Sequence, residues 1–454
     1  TSFYAEQGGQ IADSGRIYVS GESGAGWLDV IDVQVFGGYV VHVVEPHTKD
    51  DAILEQVLTL GVEVDLDVDY ERRSLIAPNH TMTHVLNYAL REVLGSNCEQ
   101  RGSLVDDMKL RFDFSFGSAL TKEQLASVEH AARAQVVAQL PVYASVVPLG
   151  DAKKIHSLRA VFGEVYPDPV RVISVGMEVS KLVADPENQA WQAYSIEFCG
   201  GTHLSNTNEA REFCIVEEMS VAKGVRRISA LTGDLACQAI RVGEDLAVKV
   251  SQLETLSNEC KWEHVASEST SVNHQLDAAV MSAATKAQLR ARVASVIEEL
   301  KKAQKQMAAD RLSAAFSAGE ALAAQAASEK RRVLVTVLDL GADTKAGNRV
   351  LSNMIAAMRG EGESSISGSV DSAVMLISSD ETKGKLMVLA SADGQVVNAS
   401  EWVSHAVQDI GGRGGGRPTL AQAAATVPAS ENINEISLKI MQLAESFANS
   451  KLSE

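Results

Sequence analysis

Two pairs of residues, each four apart, have the types and spacing to hold one metal ion. His80 and His84 sit four positions apart, and on a helix that spacing sends both side chains from the same face about one turn from each other. Cys199 and His203 repeat the interval across Gly200-Gly201-Thr202, where paired glycines point to a tight loop and not a helix. Three imidazoles and one thiolate suit a tetrahedral zinc, and the thiolate disfavours magnesium and calcium. One pair alone carries little, because a histidine beside an apolar stripe usually only packs. Both pairs together predict about one zinc per chain, clipping distant segments into one centre. Four filled positions describe a structural zinc, whereas a catalytic one keeps an open corner, so both roles stay open.

The elements that must position these groups begin with β structure over residues 1–70. Arg16 to Val19, Trp27 to Phe36 and Tyr39 to Val44 are rich in β-branched and aromatic residues between Gly turns, which predicts a small barrel. Val62, Val64, Leu66 and Val68 alternate with Glu63, Asp65, Asp67 and Asp69, an apolar face backed by a wet acidic one. A helix is expected after a loop around Pro78, capped by Asn79 and stopped at Gly95, with Val85, Leu86, Ala89, Leu90 and Val93 as its buried stripe. A strand at Lys109 to Phe114, a helix at Lys122 to Gln139 and strands at Ala160 to Phe162 and Val170 to Val175 continue a zinc-containing α+β domain over 71–233.

Residues 234–331 shift to Ala, Glu, Lys, Gln and Ser with almost no Pro or Gly, the composition of a helical, coiled-coil arm. Leu289, Val293, Val296, Leu300, Ala303 and Met307 follow heptad spacing, and Leu246, Val250 and Leu253 begin an earlier seam. The polar stretch from Asn258 to His274 is expected to be a turn between two antiparallel helices. Over 332–454, apolar runs at Val333 to Leu338, Ala373 to Ser378 and Leu386 to Ala390 alternate with helices at Ala346 to Met358, Glu401 to Gln408 and Ile433 to Phe447. That alternation predicts a small α/β domain, and the whole chain reads as an α+β multidomain protein. Gly411-Gly412-Arg413-Gly414-Gly415-Gly416-Arg417-Pro418 reads as a loop between two of these helices. Its amides and the cations of Arg413 and Arg417 suit phosphate, and its glycines equally suit a linker.

A formal charge of −18 argues against a generalised basic surface for nucleic acid, so RNA contact must be local. Five scattered cysteines fit reduced thiols better than a disulfide framework. No run approaches the roughly 18 apolar residues of a membrane span, and no signal peptide opens the sequence, so a soluble intracellular protein and no membrane partner are expected. The sequence opens at Thr1 without a Met and is expected to continue upstream.

Asn79-His80-Thr81-Met82-Thr83-His84 and Cys199-Gly200-Gly201-Thr202-His203 resemble the paired metal motifs of alanyl-tRNA synthetases and of freestanding alanyl-tRNA editing proteins. Phe3-Tyr4-Ala5-Glu6-Gln7-Gly8-Gly9-Gln10, Gln100-Arg101-Gly102-Ser103-Leu104-Val105, Leu110-Arg111-Phe112-Asp113-Phe114 and Gly224-Val225-Arg226-Arg227-Ile228 continue the resemblance in the family's order. The Gly-rich stretch from Gly411 resembles one in the family's terminal domain.

The resemblance implies hydrolysis of the ester joining serine or glycine to tRNA(Ala), with zinc held by His80, His84, Cys199 and His203. It makes Thr83 and Gln100 the residues acting on the mischarged ester. It also implies RNA contacts at Lys223, Arg226 and Arg227 and, in the terminal domain, at Arg413 and Arg417. For Arg226 and Arg227 a surface salt-bridge role stands beside the RNA role. A cytoplasmic protein follows, with a mitochondrial form allowed, as either a homodimer or a monomer. No P-loop is present, nor any of the motifs with which a synthetase activates alanine, so ATP and Mg2+ belong to an aminoacylation domain outside this sequence. A freestanding deacylase and a non-enzymatic, zinc-stabilised RNA-binding or dimerisation module are the rival readings.

Overall fold

The computed structural model describes residues 1–19, 27–47, 59–161, 164–359, 372–428 and 430–453. The chain divides into two compact units, Thr1–Ile297 and Glu298–Glu454.

Among the described residues the first unit contains three sheets. Strands β1 (Gly15–Val19), β2 (Leu28–Phe36), β3 (Tyr39–Pro46) and β4 (Val64–Val68) pair antiparallel in the order β3-β2-β1-β4. Among the described residues β3 and β4 do not pair, so the expected barrel is a four-stranded sheet there. Phe3, Val30, Val33 and Val68 form its core, and the aspartates of β4 face outward as the alternation requires.

Helix α1 runs from Tyr70 to Leu94 and begins well before the expected start. Asp69 is its N-cap, accepting from Arg72 N at 2.9 Å, and Gly95 ends it with φ +94°. Pro78 lies inside the helix and Asn79 is not a cap. The break expected at Pro78 is overridden because the preceding turns are tied down: Arg72 Nη1 donates to Ala12 O at 2.8 Å, and Arg73 binds Asp13 and Ser2 O. Asn79 instead donates to Asp106 O at 2.9 Å and accepts from the Thr232 hydroxyl at 2.8 Å.

Strands β5 (Gln100–Val105) and β6 (Leu110–Ser115) join two later strands in a second antiparallel sheet. Helix α2 (Lys122–Val137) and α1 cover it. Strand β7 (Val142–Val147), the short α3 (Leu149–Ala152), β8 (Val170–Val175), α4 (Val179–Ala184) and β9 (Ser195–Phe198) form the third sheet region, in strand order β7-β8-β9. The strand expected at Ala160 to Phe162 reduces to a single bridge between Arg159 and Glu197, and Phe162 lies outside the described residues. Strands β10 (Phe213–Ala222) and β11 (Val225–Thr232) complete the second sheet in the order β10-β11-β6-β5.

Helices α5 (Gly233–Asn258) and α6 (Trp262–Ala278) and the long α7 (Ala283–Ser328) follow. The expected turn from Asn258 to His274 is therefore mostly helix, with Val265, Ser269, Val272 and Leu276 as its buried face. Because α6 doubles back, α5 and α7 run in the same direction where they meet. Arg292 of α7 binds Glu254 of α5 at 2.7 Å, and Lys249 of α5 reaches Gln275 of α6. Leu289, Val293, Val296 and Leu300 are buried, but Met307 is exposed, so the heptad seam fades before its last position.

In the second unit β12 (Val333–Val337), β13 (Ala373–Asp380), β14 (Lys385–Ser391), β15 (Arg413–Arg417) and β16 (Leu420–Thr426) form one sheet in the order β12-β13-β14-β16-β15. Helix α8 (Thr344–Arg359) covers one face, and α9 (Ala399–Ala406) and α10 (Ile433–Ser453) cover the other, so each face has its own apolar core. The Gly-rich stretch is an edge strand of a hairpin and not a free loop. Packing does require some of its glycines: a Cβ at Gly414 would lie 2.9 Å from Val403 of α9, and one at Gly412 would lie 2.7 Å from Val407. No helix among the described residues is long and apolar enough to cross a membrane.

Candidate metal centre

Folding brings His80 and His84 of α1 to Cys199 and His203, which flank the turn after β9. One ligand atom from each of the four lies within 4.8 Å of every other. His80 Nε2 is 3.2 Å from Cys199 Sγ, and His203 Nε2 is 3.4 Å from the same sulfur. Zinc bonds of normal length require tetrahedral edges of roughly 3.3–3.6 Å, so these donors need only small movements. His84 Nε2 is buried without a hydrogen-bond partner, as a nitrogen reserved for a cation would be. The residues present fit zinc.

Each imidazole is aimed by a bond on its other nitrogen, the arrangement that fixes tautomer and ring orientation at metal sites. His80 Nδ1 meets Gln10 Oε1 at 2.6 Å, His203 Nδ1 meets the Thr81 hydroxyl at 3.2 Å, and His84 Nδ1 bonds the Glu197 carboxylate. Asn87 Nδ2 donates to the same carboxylate at 2.8 Å. The Cys199–His203 turn is pinned by Arg171 Nη1, which donates to Gly201 O at 2.6 Å and Cys199 O at 3.2 Å. Gly201 N donates to Cys199 Sγ at 3.3 Å. A Cβ on Gly201 would fall 2.0 Å from the His80 ring, so only glycine lets the turn approach α1.

Burial alone would raise the Cys199 thiol, but the neighbouring His84 and His80 hold it well below its ordinary value, which keeps the thiolate available to a metal. Burial lowers His203 to about 3 and leaves it neutral. Burial also opposes charge on His84, yet Glu197 and then Cys199 outweigh it and raise His84 to about 10. His84 thus holds a proton at neutral pH until a cation displaces it. Burial, followed by the Cys199 charge, pushes the Tyr4 phenol well above its usual range, and its hydroxyl donates to Gln7 O at 2.9 Å.

Thr83 is buried, and its hydroxyl donates to Asn79 O at 2.8 Å. Its proton is committed, so toward any ligand the Thr83 oxygen can only accept. Gln100 opens β5, half-buried, with its amide 3.4 Å from the Ser103 hydroxyl and not hydrogen-bonded to the four donors. Lys223 occupies the exposed turn between β10 and β11. Arg227 forks onto Asp113 at 2.6 and 2.7 Å, and Arg226 binds Glu218, so both guanidinium groups already hold carboxylates. Arg413 and Arg417 are exposed on β15 and form no ion pair among the described residues.

Sequence reasoning does not reach Gln10, Thr81, Asn87, Arg171 and Glu197. Glu197 leaves one signal, as the charged residue of a wholly buried strand otherwise made of Ser, Ile and Phe.

Residues 170–229, which include Cys199 and His203, match the family described as "Threonyl and Alanyl tRNA synthetase second additional domain", and residues 330–446 match the DHHA1 domain. The chain is 39% identical over 428 residues to the cytoplasmic alanine–tRNA ligase of Dictyostelium discoideum, covering 93% of this chain and 43% of that protein. It is 37% identical to the cytoplasmic enzyme of Drosophila melanogaster, covering 100% and 45%. It is 44% identical over 256 residues to the mitochondrial enzyme of Saccharomyces cerevisiae, covering 56% and 25%. The solved C-Ala domain of Aquifex aeolicus alanyl-tRNA synthetase matches 24% of this chain and 89% of that one at 19% identity, with a TM-score of 0.18, too low to bear on the fold. The matched second additional domain and the relatives are of the tRNA synthetase class. This chain belongs to the alanyl-tRNA synthetase family and corresponds to its C-terminal region. The chain spans a little under half the length of the first two relatives.

Proposed function

We propose that this chain hydrolyses the ester linking serine or glycine to tRNA(Ala), at the centre of His80, His84, Cys199 and His203, and that the longer protein attaches alanine to tRNA(Ala) in the cytoplasm using ATP and Mg2+. The observation that carries this reading is the convergence of four metal donors from two distant motifs in a chain whose relatives are alanine–tRNA ligases. The need for such a site is physical. A pocket shaped for alanine cannot exclude glycine by size, and one extra hydroxyl is discriminated only weakly, so a second hydrolytic site must remove the errors.

Zinc, when bound, would supply Lewis-acid chemistry, orienting an oxygen or lowering the pKa of a water toward about 7. The remaining work falls to the chain. Thr83, whose proton is bound by Asn79 O, accepts a hydrogen bond from the serine hydroxyl; glycine has none to give. The Gln100 amide donates to the ester or to the attacking water. Tyr4, held protonated, keeps a second anion away from Cys199. The region matching DHHA1 grips tRNA through Arg413 and Arg417. Lys223 adds a contact in the first unit, joined by Arg226 and Arg227 when phosphate displaces their carboxylates.

Four filled tetrahedral positions favour one rival, a zinc that only braces an RNA-binding module. The separating experiment incubates the chain, without ATP, with seryl- and alanyl-tRNA(Ala) and assays metal in parallel. Faster loss of serine is expected. Loss of neither amino acid from a zinc-loaded chain would replace the enzyme with the binding module.

A further inference from the structure

Gln10 lies far in sequence from all four donors, yet it is fully buried beside them. Its Oε1 meets His80 Nδ1 at 2.6 Å, the Thr202 amide at 3.0 Å and the Thr202 hydroxyl at 3.1 Å. Thus one carbonyl oxygen joins the α1 half of the centre to the Cys199–His203 half. Its Nε2 is buried with no partner. Leaving a buried donor unsatisfied costs stability, and turning the amide over would relieve that only by facing N–H groups toward the Thr202 amide. The orientation is therefore dictated by what the oxygen holds.

The backbone around Gln10 has no freedom to drift. Gln10 N donates to Gln7 O at 3.0 Å, Val105 N to Gly9 O at 2.7 Å and Ile11 N to Val105 O at 3.1 Å. A Cβ at Gly9 would lie 2.5 Å from the Ser103 hydroxyl, and Gly9 has φ +83°, so the turn is pressed against β5. Just beyond it, Ala12 and Asp13 are bound by Arg72 and Arg73 from the first turn of α1. The same helix that presents His80 therefore also fixes the segment presenting Gln10.

We propose that Gln10 is a positioning residue of the metal centre: by accepting from His80 and Thr202 together, it holds the tautomer that leaves His80 Nε2 free to bind metal and registers the two donor pairs against each other. The segment before β1 is then an integral part of the centre, not an appendage of the N-terminal sheet. This rests on the zinc reading of the four donors but makes a separate claim.

The test measures zinc affinity of the full 454-residue chain by chelator competition, with Co2+ absorption as a second report on donor geometry. Gln10→Leu, which fills the space without an acceptor, is expected to weaken zinc about 10–100-fold and to alter the Co2+ ligand-field bands. Gln10→Glu, which keeps an acceptor at the same reach, is expected to restore most of the affinity. Parental affinity in Gln10→Leu overturns the proposal, as does Gln10→Glu binding no better than Gln10→Leu, which would mean that the residue only packs. If Gln10→Leu does not fold, Gln10→Asn, which withdraws the amide by one methylene, takes its place. It must then bind zinc more weakly than the parent, and equal affinity overturns the proposal. Cys199→Ala is the control: loss of zinc there with full affinity in the Gln10 variants removes this role and leaves the zinc centre standing, whereas full zinc in Cys199→Ala removes the centre itself.

Discussion

The metal centre and the Gly-rich hairpin are opposite ways of placing charge. At the centre, residues from three distant stretches converge in the interior, and each imidazole is aimed by a further partner, Gln10, Thr81 or Glu197. On the hairpin, Arg413 and Arg417 are neighbours along one exposed edge strand with no carboxylate holding them among the described residues. Buried groups interact strongly and fail together, because a missing partner leaves an uncompensated polar atom. Exposed cations act nearly independently and are screened by salt. Arg226 and Arg227 show what an intermediate case looks like: already paired with Glu218 of β10 and Asp113 of β6, they brace β11 against both neighbours first. A rigid buried centre and a screened surface contact should therefore answer to different experiments.

The largest effect is expected where the coupling is tightest. Replacing His80 or Cys199 with Ala removes one of four donors and should take zinc from about one per chain to near none. It should also lower the melting temperature of the first unit, since metal-binding energy contributes to folding. Metal analysis and thermal unfolding check this; unchanged zinc in both variants would dissolve the contrast, because the centre would then be an ordinary packed cluster.

Next in size is the pH response of that centre. With no cation present, His84 is raised to about 10 by Glu197 and Cys199 against the opposing effect of burial. Its charged form therefore stabilises the zinc-free fold below about 6.5, and that contribution is lost as pH rises through about 10. Zinc needs the neutral ring and must displace this proton. Zinc affinity should therefore rise close to tenfold per pH unit from about 6.5 to 8.5, with roughly one proton released from His84 per ion bound. Calorimetry in buffers of different ionisation enthalpy measures that proton; pH-independent affinity would mean that zinc displaces no proton from His84.

What the sequence can reveal divides along the same line. The four donors are legible because ligand spacing is local: four residues on a helix, four across a glycine turn. The residues that aim them are not, because Gln10, Thr81 and Glu197 act across folds of the chain and belong to no periodic pattern. Strands β1 to β3 are legible from β-branched and aromatic content between Gly turns and β4 from alternation, although that content predicts a barrel and β3 and β4 remain unpaired among the described residues. The start of α1 is obscured because Pro78 signals a break locally, while the bonds from Arg72 and Arg73 that hold the earlier turns are tertiary. Helix α6 is hidden by its Ser, Thr and His content, even though Val265, Ser269, Val272 and Leu276 keep helical spacing. The glycines of this stretch suggest a loop, and only the tertiary approach of Val407 to Gly412, of Val403 to Gly414 and of Leu420 and Ala421 to Gly416 explains why a strand and its approach should be built from them.

On the hairpin, Arg413→Ala with Arg417→Ala should weaken tRNA binding and flatten its dependence on salt. Every phosphate that the protein no longer neutralises means about one fewer counterion released, so the slope of log K against log salt should fall by roughly 1.4–1.8. Zinc content should be untouched. Identical slopes for parent and variant would show that the hairpin does not meet phosphate.

The smallest effect sharpens the comparison most, because it falls on the residue preceding a donor of the buried centre yet should behave like a single independent contact. Thr83 donates its proton to Asn79 O, leaving its oxygen as an acceptor for one hydroxyl. Thr83→Val keeps the shape and removes the acceptor, at the cost of leaving Asn79 O without that donor. The serine hydroxyl then enters a pocket with nothing to receive its proton, and one hydrogen bond of about 1 kcal/mol corresponds to a several-fold fall in the rate for seryl-tRNA(Ala). Glycine offers no hydroxyl, so the rate for glycyl-tRNA(Ala) should be nearly unchanged, and zinc should remain at parental stoichiometry. Parallel single-turnover deacylation of the two substrates reads the ratio directly. Equal losses for both would mean that Thr83 only supports α1 through Asn79, and an unchanged ratio with unchanged rates would remove Thr83 from the site.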